Sequence, residues 1–134
     1  MTELITTAFL LAWNAPTTTI YQNGLATYYA PGLMEQVAEN RELSLEGYEG
    51  GVALNRAGDL NRSVWLDWGD GEIAGPYLVV DCAQRDHFVE RERQGRIVEV
   101  SAEVAQAHGF FEVGPVDVGV WFVEPPWLRN VKER

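Results

Sequence analysis

The stretch Tyr77–Gly109, YLVVDCAQRDHFVERERQGRIVEVSAEVAQAHG, decides how the rest of the chain is read. An apolar strand runs into the carboxylate of Asp81, and a charged loop follows that carries Arg85, Asp86 and His87. The chain returns through Ile97 and Val98 to Glu99, and Ser101 then opens a short helix as its N-cap, with Glu103 in the first turn and Gly109 after the last. Two acids, Asp81 and Glu99, therefore stand at strand edges joined by one loop. Carboxylates so placed either build a polysaccharide-acting site or cap strand ends by bonding to backbone.

Outward from this stretch, short strands dominate. Residues 63–68, SVWLDW, and 73–81 flank the Asp-Gly pair of GDGE and predict a β-hairpin. GVALN at 51–55 reads as a buried strand and RAGDLN after it as a loop. GLATYYAPG at 24–32 alternates with period two and stops at Pro31-Gly32, while Asn23-Gly24 before it carries a turn signal. Residues 33–43 have helical composition, and VDVGVWFV at 116–123 alternates as a closing strand. Pro125-Pro126 cannot continue a ladder, so a tail follows. Short strands with one well-capped helix imply a small β-barrel rather than a βαβ sheet.

Composition narrows the function classes. The chain has 134 residues, 46% of them hydrophobic, which is enough for one continuous core. Its net charge of -10 argues against a nucleic-acid surface, which needs clustered Lys and Arg. The basic residues between Arg85 and Arg96 are interleaved with Asp86, Glu90 and Glu92 and read as a solvated loop. The apolar run from Ala8 to Trp13 is too short to insert in a membrane, and Met1, Thr2 and Glu3 lack the basic start of an export signal. Cys82, the only cysteine, reads as an inert, buried small residue. Two His with scattered acids give no metal-ligand spacing, and no glycine-rich phosphate loop leads into a Lys-bearing helix, so neither a metal nor a cofactor is expected.

Taken in order, GLATYYAPG, VALNRAGDLN, YLVVD, GRIVEVSAEVAQAHG and VGPVDVGVWFV resemble the motifs of double-psi β-barrel domains of the rare-lipoprotein-A, expansin and barwin type. The resemblance covers residues 24–123, leaving 1–23 as an N-terminal arm and 124–134 as a C-terminal tail. It implies a mainly β fold, a small six-stranded double-psi β-barrel with one or two short helices. It implies a groove for a glycan polymer of the cell wall, an extracellular or cell-envelope setting, and either lytic transglycosylase activity on peptidoglycan or binding alone. Carried over by motif, Thr27 matches a groove hydroxyl, Asp81 a supporting acid, and Glu99 the position of the family's essential Asp.

Glu99 departs from that pattern by one methylene, and the turn after Asp81 reads DCAQRDHF where many members have a short Gly-rich turn. A transglycosylase acid must protonate the glycosidic oxygen and then act as a base. The expectation is that Glu99 and Asp81 are the catalytic pair, with Thr27, Tyr29, Trp65 and His87 binding substrate. Among Tyr28, Tyr29, Trp65, Trp68 and Trp121, about half should be core by strand parity, and Trp65, opposite in parity to Val64, Leu66 and Trp68, is expected to be the exposed one. The competing class is a non-catalytic protein-interaction or structural module on the same barrel, with a protein partner at the arm or tail.

Overall fold

The computed structural model describes residue 8 and residues 10–128. Six strands close into one mixed barrel. They are β1 (Tyr21–Tyr28), β2 (Gly51–Leu54), β3 (Ser63–Asp67), β4 (Ile73–Cys82), β5 (Arg96–Val100) and β6 (Val116–Trp121). Around the barrel the order is β1-β5-β2-β4-β3-β6. β1 runs parallel to β5 and β2 parallel to β4, and each of these pairs shifts register once, at Leu25/Ala26 and at Val52/Ala53. The other four pairings are antiparallel. Short helices decorate the barrel, among them α1 (Leu33–Asn40), α2 (Phe88–Arg93) and α3 (Ala102–Ala107). No helix among the described residues is long and apolar enough to cross a membrane.

The alternation of the strands divides the core in two. Val52, Leu54, Val64, Leu66, Val79, Val98 and Val100 belong to the main cluster, which Phe110 completes. Ala53, Leu78 and Val80, the intervening positions of β2 and β4, pack instead with Met34 and Ala38 of α1. Met34 and Ala38 stand four residues apart, one above the other on a helix face, which is why an eight-residue helix suffices to cover that side.

Most local expectations hold. β3 and β4 pair antiparallel with Asp67 opposite Ile73, the hairpin read from Asp-Gly. Ser101 caps α3, its Oγ accepting from the backbone N–H of Val104 at 3.2 Å. Two expectations fail. Asn23-Gly24 is not a turn but lies inside β1, opposite Gly119 and Val118. Gly24 is there for close approach, since a Cβ would come within 2.7 Å of Ile97 Cγ2 and 2.8 Å of the Gly95 carbonyl oxygen.

The charged run after Asp81 is not a solvated loop either. It holds a 3-10 turn at Arg85–His87 and then α2. Phe88, 5% exposed, anchors α2, with Arg56 over its ring at 5.6 Å. The segment before β1 is tied down as well. Residues 10–14 are helical. Thr17 donates from N and Oγ1 to Asp59 at 2.7 and 2.6 Å, and Arg62 Nη1 donates to the Thr17 carbonyl at 2.7 Å.

Candidate functional site

Strand register assembles the expected residues. Thr27 on β1 stands beside Glu99 on β5, Glu99 beside Ala53 on β2, and Ala53 beside Asp81 on β4. Residues 72 positions apart in sequence thus form one row across four strands. The parallel pairings make this possible, because they align the C-terminal halves of β1 with β5 and of β2 with β4.

Arginines occupy the middle of the row. Glu99 Oε1 accepts from Arg91 Nη1 on α2 and lies 3.3 Å from Arg96 Nη2. The Arg91 and Glu99 side chains are each 13% exposed, so this ion pair is largely shielded from water. Asn55, itself buried at the end of β2, fixes the pair. Its Oδ1 accepts from Arg91 Nε at 2.8 Å while its Nδ2 donates to the Arg96 carbonyl at 2.6 Å. Arg96 Nη2 also reaches Thr27 Oγ1 at 3.5 Å, the outer limit of a hydrogen bond. Arg56 and Glu92, 3.7 Å apart, help hold α2 over the site.

At the other end of the row Asp81 is equally engaged. Tyr29 Oη donates to its Oδ2 at 2.6 Å, and Arg41 Nη2 to its Oδ1 at 3.1 Å. Burial pushes the Tyr29 phenol well above its ordinary range, helped by the hydrogen bond to Asp81 and the negative charges of Asp81 and Glu99, with Arg91 opposing. Tyr29 is therefore a fixed donor to Asp81 at neutral pH. Burial, and then the Asp81 charge, also push the Cys82 thiol up, with Arg41 opposing, so it is not an activated nucleophile.

The remaining expected residues lie apart. Trp65 is on β3, which the row does not cross. It is half-buried rather than exposed, packed on Gly75, where a Cβ would sit 2.7 Å from Trp65 Cδ1, and opposite Trp121 on β6. Strand parity holds, because Trp65 alternates with the buried Val64 and Leu66, but the face it lies on is covered where Gly75 of β4 packs on its ring. His87 is exposed at the start of α2 and makes no capping bond. Tyr28 packs on Phe110 and Phe111 and accepts from the Glu112 N–H at 2.7 Å, while Trp68 stacks on His108 at 4.3 Å. Among the described residues, no group of three or more His, Cys, Asp or Glu is placed to hold a metal ion.

Sequence reasoning missed Arg91, Arg96, Asn55 and Arg41. One signal was present: Arg91 follows Phe88 by three positions, so on a helix both share the face that Phe88 buries. No protein-family model matches the chain, and no curated protein matches it.

Proposed function

We propose that the chain is a glycan-binding module on a double-psi β-barrel, holding a cell-wall polysaccharide along Thr27, Glu99 and Asp81 without cleaving it. The two parallel pairings within one closed barrel support the double-psi reading. The observation that carries the functional reading is the state of Glu99. A catalytic acid has to come within hydrogen-bond reach of the glycosidic oxygen. Here the carboxylate is bound to two guanidiniums, and one of them is as deeply shielded as the carboxylate itself. What the row offers a glycan is fixed polarity: hydroxyl, guanidinium and phenol groups held by hydrogen bonds at the strand ends, the kind of preorganised contacts that bind sugar hydroxyls.

The test is to incubate purified sacculi with the protein, measure co-sedimentation, and search the supernatant by mass spectrometry for anhydro-muropeptides. The reading expects sedimentation without products, weakened by Thr27→Val. Products that disappear with Glu99→Gln would make the protein a lytic transglycosylase. Absence of sedimentation would remove the glycan.

A second reading, a protein-interaction module, has its own observation. Ile20, Val123 and Trp127 are 60%, 44% and 50% exposed, and Trp127 meets Trp121 edge-on at 5.3 Å. This apolar cluster lies at the Tyr21 end of β1, about 20 Å of extended strand from Thr27. Sedimentation that survives changes in the row but not Trp127→Ala would favour it.

A further inference from the structure

Beside the row, an open cleft of about 590 Å³ is bordered by Trp13, Arg41, Asp81, Cys82, Gln84 and Arg85. That volume falls within the about 300–1,000 Å³ typical of small-molecule sites. We propose that this cleft is a subsite for a carboxylate-bearing sugar unit, the acidic unit of the glycan that the row holds; the inference rests on the glycan-binding reading above.

Three features carry it. The first is Trp13, which is half-buried and whose indole Nε1–H donates to the Ala83 carbonyl at 2.9 Å. The bond fixes an aromatic ring at the border of the cleft, an apolar surface for the C–H face of a pyranose. The second is Asp81. Both of its oxygens are already bonded, to Arg41 and to Tyr29, so its charge is answered within the fold. The third is the cationic edge. The Arg41 side chain spends one of its five donors on Asp81 and is 44% exposed. Arg85 is exposed, and its side chain makes no ion pair or hydrogen bond among the described residues.

Two guanidiniums border this cleft, and of the two Arg41 alone has a carboxylate partner there. A guanidinium fork matches a carboxylate bidentately, whereas a neutral hydroxyl leaves Arg85 without a counter-anion. The repulsion between an acidic polymer and the rest of the surface is screened beyond about 8 Å at physiological ionic strength, so direct contact governs the choice.

The experiment titrates the full chain by calorimetry with a β-linked glucuronic acid hexasaccharide and with the same hexasaccharide after reduction of its carboxyls to alcohols. The acidic form should bind about tenfold more tightly. Arg85→Gln should reduce that preference severalfold, Arg41 still bordering the cleft. Because the Arg85 side chain is exposed and the bond its carbonyl accepts is a backbone one, this variant should fold as the parent does. Trp13→Ala should weaken both ligands. Equal affinities for the two hexasaccharides, or an acidic preference that Arg85→Gln leaves intact, would overturn the subsite. Binding of neither also overturns it, and sedimentation with sacculi then tells whether the glycan-binding reading survives alone.

Discussion

Removing the Glu99 charge should destabilise the barrel, and Arg91 should be the reason. Glu99→Gln leaves Arg91, 13% exposed, and Arg96, 32% exposed, without their shared anion. Breaking a buried pair from one side costs about 3–5 kcal/mol. Asn55 still accepts from Arg91 Nε, and Arg96 can turn to water, so the lower end applies, about 3 kcal/mol. Arg91→Met strips one guanidinium but leaves Glu99 with Arg96, and should cost about 2 kcal/mol. The double variant has no orphaned charge at the Arg91 position and should cost about 3 kcal/mol, so the coupling between the two sites is about 2 kcal/mol. Urea unfolding followed by the five Trp residues reads all four corners of this cycle. In thermal scans Glu99→Gln should melt about 10 °C lower. Costs that add to within about 0.5 kcal/mol would refute the reasoning, because Glu99 would then be independent of Arg91.

Three further outcomes follow from the same structure. Gly58→Ala should detach the segment before β1 without unfolding the barrel, because a Cβ at Gly58 would run into the backbone of Asn14 and Ala15; limited proteolysis should then cut before Tyr21 while the remainder stays resistant. Ser101→Ala should cost about 1 kcal/mol in urea unfolding, the loss of one N-cap. Burial pushes the Tyr77 phenol up to about 12, so between pH 10 and 12 the unfolded chain loses this proton while the folded one keeps it, and stability falls as pH rises. The Tyr77 share of that fall is about 2–3 kcal/mol, and Tyr77→Phe should flatten it in urea titrations at pH 9 and 12.

What the sequence made legible follows the range of the interactions. The β3–β4 hairpin and the Ser101 cap depend on neighbours a few residues away, and both were readable. Asn23-Gly24 carried the local signal of a turn, but Gly24 serves a contact with Ile97, more than seventy positions on, which no local pattern reports. Trp65 does alternate with the buried Val64 and Leu66, but Gly75 of β4 packs on its ring, a contact that counting along one strand does not report. The row itself was half legible: motif order pointed to Thr27, Asp81 and Glu99, and register aligns them. The arginines that change its chemistry were hidden in a charged run whose helix rests mainly on one apolar anchor, Phe88.

The most direct test of the glycan-binding account is a two-dimensional NMR titration of the labelled protein with soluble fragments of sacculus glycan. The account predicts shifts at Thr27, Tyr29, Ala53 and the Arg91 and Arg96 side chains, with the fragments recovered intact. Shifts confined to Tyr21, Trp121 and Trp127, or no shifts at saturating fragment, would contradict it.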